Sequence, residues 1–324
     1  MENLVFSLNA TLPIFLLMVL GYIFNKIGII DEKAANWMNK FVFNVALPVL
    51  LFGDLAEQDF FGTWDGKFVL FCFCVTIISI LVITVLGKLL VKDPSRRGEF
   101  IQGSYRSSAA LLGIAFIHNI YGTENTGMAP LMILGSVPLY NIFAVIILTL
   151  SAADNKSADP VNKKANPSLI KKTVFGIVTN PIILGIFIGL FWSLLRIPQP
   201  KIFSTLVSNL SALATPLGLM SMGATFDFKK ALNNVRPALV ASFIKLFLLV
   251  AIFLPFAVMF GFSGEKIVAL LVMLGSATTV SCYIMSKSMG HEGTLSSSII
   301  MLTTFGCSFS LTFWLFVLKS LRII

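Results

Sequence analysis

Ten apolar stretches, each long enough to cross a bilayer, set the terms for this chain. A membrane helix needs roughly 20 mostly apolar residues to span about 30 Å of hydrocarbon. Such stretches run 4–24, 34–52, 68–91, 100–120, 128–150, 174–195, 202–222, 235–260, 267–289 and 295–321. Only 12% of the 324 residues are charged, against about 25% in a soluble domain. That deficit runs the whole length, so no part can cover a water-facing surface. The sequence predicts an all-α integral membrane protein. Its 30 phenylalanines suit surface that faces lipid.

The first stretch reads as a true span. Met1–Asn3 carries Glu2 and no Lys or Arg, so the positive region of a cleavable signal is missing. The four cysteines, Cys72, Cys74, Cys282 and Cys307, all lie inside apolar stretches and match no zinc spacing. They read as small buried apolar residues.

The net charge of +9 does not point to nucleic acid, because the basic residues fall in short clusters between spans. Fifteen of the 24 Lys and Arg residues lie on one side of the membrane and six on the other. Basic loops stay in the cytoplasm. The bias therefore predicts a multi-pass protein of the cell membrane with both termini outside. The long polar stretch 151–172 would then be a cytoplasmic linker. It separates a first set of five spans (1–150) from a second (173–324).

The two sets repeat one pattern at a constant offset of 168 residues. Thr11, Pro13, Ile14, Leu16 and Gly21 align with Thr179, Pro181, Ile182, Leu184 and Gly189. Ala46, Pro48, Leu51, Ala56, Asp59 and Phe60 align with Ala214, Pro216, Leu219, Ala224, Asp227 and Phe228. Ser108, Ala109, Gly122 and Glu124 align with Ser276, Ala277, Gly290 and Glu292. An odd number of spans per set turns the second upside down. Ten helices in two inverted five-helix repeats is an architecture of secondary carriers, in which oppositely oriented halves can exchange conformations around one central site.

Such carriers place substrate at helices broken near the membrane midplane. The fourth span contains Gly103-Ser104-Tyr105-Arg106-Ser107-Ser108-Ala109, and the ninth Gly275-Ser276-Ala277-Thr278-Thr279-Val280-Ser281. Both are small, hydroxyl-rich and begin with Gly, at matched positions. Hydroxyls can satisfy the backbone groups a break frees. The candidate substrate residues are therefore Ser107, Ser108, Ala109, Ser276, Thr278 and Thr279. Plain small-residue helix packing is the alternative.

Charge suggests the sign of the substrate. Lys40, Arg106 and Lys245 fall within spans, where charge is costly and usually functional. The fifteen acids lie in loops or at span ends. A buried positive site and a half-helix N-terminus both suit an anion. Snorkelling to the interface is the plainer account of Lys40 and Arg106. Pro48 and Pro216 interrupt the second and seventh spans at equivalent points, with Asn44 one turn before Pro48, and could serve the site or a hinge. No cofactor is implied, and the coupling ion stays open. His118 is a candidate for proton coupling, with Asp54, Glu57 and Asp59 as alternative acceptors and Asn119 and Lys40 as further coupling or hinge positions, while carbonyls and hydroxyls at the breaks, near Ser281, could bind sodium.

The stretch Asn39-Lys40-Phe41-Val42-Phe43-Asn44-Val45-Ala46-Leu47-Pro48 resembles the second span of the auxin efflux carrier family. Ala214-Thr215-Pro216-Leu217 with Ser221-Met222-Gly223-Ala224 resembles its repeat partner. The ten-span layout and mid-chain loop extend the resemblance over essentially the whole chain. The resemblance implies a scaffold domain and a transport domain, crossing of spans four and nine at the substrate site, and elevator-like movement. It also implies organic acids such as malate, malonate or an auxin as substrates, and kinship with sodium-coupled bile acid carriers. One departure stands out. Plant members carry Asn-Pro-Asn at the first crossing, where this chain has Ser107-Ser108-Ala109, so the Asn contact to a carboxylate does not transfer.

An intramembrane enzyme would need paired aspartates, a metal-binding His pair or a Ser–His couple, and His118 and His291 lie in no such motif. A channel, or a sensor that binds on a carrier fold without transport, are the other readings. The sequence leaves the oligomeric state open, a homodimer included.

Overall fold

The computed structural model describes residues 16–57, 64–109, 128–156, 179–227 and 235–324, with Pro13, Phe175 and Lys229 also placed. Asp59, His118 and Asn119 lie outside the described residues. The described residues are predominantly helical, with no strand among them. We label its helices α1 (Leu16–Lys26), α2 (Glu32–Ala56), α3 (Gly66–Leu90), α4 (Pro94–Tyr105), α5 (Ala129–Lys156), α6 (Pro181–Leu194), α7 (Lys201–Ala212), α8 (Ala214–Ala224), α9 (Val235–Met259), α10 (Glu265–Gly275), α11 (Ser281–Ser288) and α12 (Thr294–Ser320). Among the described residues, six helical stretches are long and apolar enough to cross a membrane: α2, α3, α5, α7 with α8, α9 and α12.

The surface of these helices is apolar. On α12, Phe305, Phe309, Phe313 and Phe316 are all at least half exposed, and their spacing of three or four residues puts them on one face. Phe187, Ile188 and Phe191 are likewise exposed on α6, and Leu81, Val82 and Val85 on α3. Such continuous apolar surface is untenable in water and expected against lipid. Polarity is inside: Ser296, Ser297, Thr303, Thr304, Ser308 and Ser310 of α12 are all buried. Among the cysteines, Cys72, Cys282 and Cys307 are buried and free, but Cys74 is free and exposed.

Among the glycines that let distant helices meet backbone to backbone, two are related by the repeat offset. A Cβ placed on Gly21 of α1 would overlap the Met220 carbonyl oxygen of α8. One placed on Gly189 of α6 would stand 2.8 Å from the Phe52 carbonyl oxygen of α2. Gly21 and Gly189 are 168 residues apart, and so are Phe52 and Met220. The repeat offset found in the sequence therefore recurs as a pair of equivalent contacts in space.

The two prolines act through nearby irregular turns. A π-turn over Val42–Ala46 precedes Pro48 and lets α2 run on to Ala56. A break at Leu213, three residues before Pro216, separates α7 from α8. A second π-turn, Ile244–Leu248, interrupts α9 and carries Lys245. Wide turns of this kind concentrate at functional positions.

Candidate functional site

Two helices stop in the interior, with their ends joined by hydrogen bonds. Helix α4 ends as Arg106 turns to extended geometry, with ψ 131°. Helix α10 ends the same way at Ser276, with ψ 163°. A helix end leaves its last carbonyls without partners, and burial makes that costly. The two breaks satisfy each other. The Ser108 N–H donates to the Ala277 carbonyl at 2.9 Å. The Thr278 hydroxyl donates to the Gly103 carbonyl at the end of α4, at 2.7 Å. The Ser107 hydroxyl donates to the Met273 carbonyl at the end of α10. The Thr303 hydroxyl accepts from the Thr278 N–H at 3.1 Å. Beyond the breaks Ala109 is itself helical, and a helix starts at Ser281. The N-terminus of α11 therefore opens onto the crossing, where its dipole favours negative charge.

A cavity of about 350 Å³ lies against this crossing. Arg106, Ser107, Ser108, Ala109, Thr279 and Ser281 line its polar side, with Asn141 and Tyr140 of α5. Leu47, Leu50, Leu51, Val137, Val280 and Ile284 make an apolar wall. Arg106 dominates its electrostatics. The residue is only 2% exposed. Its guanidinium donates to Asn141 Oδ1 and Ser281 Oγ, each at 2.7 Å, with Met285 Sδ at 2.8 Å and Gln102 Oε1 at 3.4 Å. All these partners are neutral, and Nε has none. Among the described residues no carboxylate lies within ion-pair distance of Arg106. A buried charge held by neutral dipoles, beside an open cavity, can take an anion.

The structure thus brings together Arg106, Ser107, Ser108, Ala109, Thr279 and Ser281, and separates others from them. Thr278 is 2% exposed and closes α4 rather than facing the cavity. Ser276 is fully buried, and its hydroxyl has no hydrogen-bond partner. Lys245 is fully buried behind the crossing, where its ammonium donates to Ser107 Oγ and the Leu274 carbonyl, with the Met273 carbonyl at 3.5 Å. Lys40 and Asn44 are exposed on α2, and the Asn44 amide donates to the Lys40 carbonyl of its own helix. Pro48 and Pro216 shape α2 and α8 without lining the cavity.

Asp54, an acid at the end of the apolar stretch 34–52, sits in the last turn of α2, which continues to Ala56, and lines the cavity from there. A single acid at a helix end does not interrupt hydrogen bonding, so the helix outruns its apolar run. Asn141 and Gln102 escaped the sequence reading. Asn141 sits mid-span in 128–150, and a polar residue at that depth is the signal that marks it.

A family model described as membrane transport protein matches residues 6–315. Among curated relatives, an uncharacterized transporter of Methanothermobacter thermautotrophicus is 23% identical over 96% of this chain and 98% of its own. A Rhizobium meliloti protein provisionally named a malonate transporter is 25% identical over 67% of this chain and 66% of its own. The lysosomal cholesterol signaling protein of Mus musculus is 26% identical over 72% of this chain, which spans only 28% of that protein. Near-complete coverage by the family model makes the chain a membrane transporter rather than an enzyme. It belongs to the membrane transport protein family, the family of the auxin efflux carriers.

Proposed function

We propose that this protein is a secondary active transporter of small organic anions, binding a carboxylate in the cavity where the two broken helices cross. Arg106 carries the reading: a guanidinium, buried and without an acidic partner, at the wall of an open cavity. The substrate carboxylate would take the counter-ion place, bound by Arg106, by Ser108 and Thr279, and by the N-terminus of α11. The apolar wall would hold the carbon skeleton. The name of the Rhizobium relative supports malonate and related acids as the first substrates to try.

The ten spans would form two inverted five-helix repeats, a reading supported by the equivalent Gly21–Met220 and Gly189–Phe52 contacts. Alternating access would move the crossing, with its bound anion, against a scaffold in the elevator manner. The bias of basic residues supports termini outside and a cytoplasmic linker at 151–172.

Counterflow uptake into proteoliposomes tests the proposal, with malate, malonate, lactate and indole-acetate under separate proton and sodium gradients. Saturable uptake of one acid, lost in Arg106→Gln, is the expected result. No uptake of any acid under either gradient overturns it.

A further inference from the structure

Lys245 reaches its place through the π-turn Ile244–Leu248, whose wider backbone gives the side chain room inside the bundle. Three oxygens surround its ammonium: Ser107 Oγ and the carbonyls of Leu274 and Met273. The Ser107 hydroxyl gives its own proton to the Met273 carbonyl, so towards Lys245 it must act as acceptor. All three partners then present lone pairs to one point. The two carbonyls belong to the last turn of α10, the negative end of its dipole. The fully buried Ser276 hydroxyl, the next residue after α10, adds an unpartnered oxygen in the same break. Among the described residues no carboxylate pairs with Lys245.

Hydroxyl and carbonyl oxygens at the C-terminus of a half-helix are the ligands with which carriers hold a coupling sodium ion. Here a side chain brings the positive charge. We infer that the ammonium of Lys245 is a tethered cation, filling an oxygen cage that would otherwise need a sodium ion and so making the crossing independent of sodium. Lys245 is then a positioning residue. It holds the end of α10 and, through Ser107, the cavity wall. The inference rests on the reading that this crossing is the transport site, but the cage itself can be tested without any substrate.

The experiment is thermal unfolding of the purified full-length protein in chloride salts of sodium, potassium, choline and n-propylammonium at equal ionic strength. The wild type should unfold at one midpoint in sodium and in choline. Lys245→Ala removes n-propylammonium in atoms, leaving a cage without its cation. Its midpoint should drop by about 5 °C or more in choline. It should recover with n-propylammonium and, in part, with sodium. Tetraethylammonium, too large for the cage, should restore nothing. A wild-type midpoint that rises in sodium over choline overturns the inference, as does a Lys245→Ala protein that neither amine nor sodium shifts. Should the variant fail to fold, purification with and without the amine becomes the test. Folded protein recovered only with the amine supports the cage, and recovery in neither overturns it. A normal cation response together with absent anion uptake would sink the substrate proposal alone.

Discussion

Ser108 and Ala277 are joined by one backbone hydrogen bond of 2.9 Å, from the N–H of the first break to the carbonyl of the second. That bond fixes the two interrupted helices to each other, so that side chains from one can complete the other. Thr278 is the clearest case, since its hydroxyl takes up the Gly103 carbonyl at 2.7 Å. Thr278→Val keeps the shape and leaves that buried carbonyl without a partner. The expected cost is about 1–3 kcal/mol, read as a lower unfolding midpoint, with Thr278→Ser close to wild type. Equal midpoints for Val and Ser would remove Thr278 from the set of contacts that hold the crossing.

Arg106 has a geometry that lysine cannot copy. Its planar guanidinium meets Asn141 and Ser281 at once, both at 2.7 Å, while a lysine carries a point charge on a flexible stem. A hydrogen bond to a charged group contributes about 1.5–3 kcal/mol, and about 1.4 kcal/mol is tenfold in affinity. Arg106→Gln should therefore weaken anion uptake about 10- to 100-fold, with Arg106→Lys between it and wild type. Asn141→Ala should lose less, because it disturbs only the aim of the guanidinium. Uptake of Arg106→Gln at the wild-type rate would show that the anion binds elsewhere.

The glycine contacts make a paired prediction. Gly21 and Gly189 each let one helix touch the backbone of another, and neither site has room for a methyl group. Overpacking of this kind costs about 1–3 kcal/mol. Gly21→Ala and Gly189→Ala should lower the unfolding midpoint by similar amounts, because they change equivalent contacts. Gly66→Ala, where the nearest atom is a Trp64 side-chain nitrogen at 3.3 Å, should cost less. A large effect at one of the paired glycines and none at the other would break their equivalence.

How much of this was legible in the sequence follows from what forces each feature. Lipid forces long apolar runs, so α3, α5, α9 and α12 fall almost where hydropathy puts them. Close helix contact forces glycine, and Gly21 and Gly189, which align at the 168-residue offset, each meet the backbone of another helix. The breaks at Arg106 and Ser276 were announced by Gly, Ser and Thr in runs that lose hydrophobicity. Side-chain direction leaves no such trace. Lys40, Arg106 and Lys245 look alike as charges inside spans. In space they are a surface lysine, a cavity arginine and a buried cap on α10. Asn44, a candidate for the site or a hinge by its place before Pro48, faces out and bonds its own helix.

Outside the spans, the N-terminus of α3 yields a prediction in pH. Asp65 caps that helix by accepting the Phe68 N–H at 3.0 Å, and it also pairs with Lys266 at 2.6 Å. The hydrogen bond from Lys266, then that from Phe68, hold its carboxyl below the ordinary range. A carboxyl depressed in the folded state stabilises the fold above its unfolded pKa of about 4, and that contribution is lost as pH falls through the lower folded value. The pair is partly solvated, with side chains 34% and 24% exposed, so its ionic share should stay under about 1 kcal/mol and shrink in salt. Asn is as good a cap as Asp, whereas Ala is not. Asp65→Asn should therefore cost little at pH 7, and its difference from wild type should shrink in high salt and fade as pH falls below about 4. Asp65→Ala should cost about 1 kcal/mol more at every pH, because it removes the acceptor for Phe68 as well. Thermal midpoints of the three proteins from pH 3 to 8, at low and high salt, separate the two roles. An Asp65→Asn loss as large as that of Asp65→Ala, and unchanged by salt, would mean that Lys266 rather than the cap is what Asp65 serves through a desolvated bond.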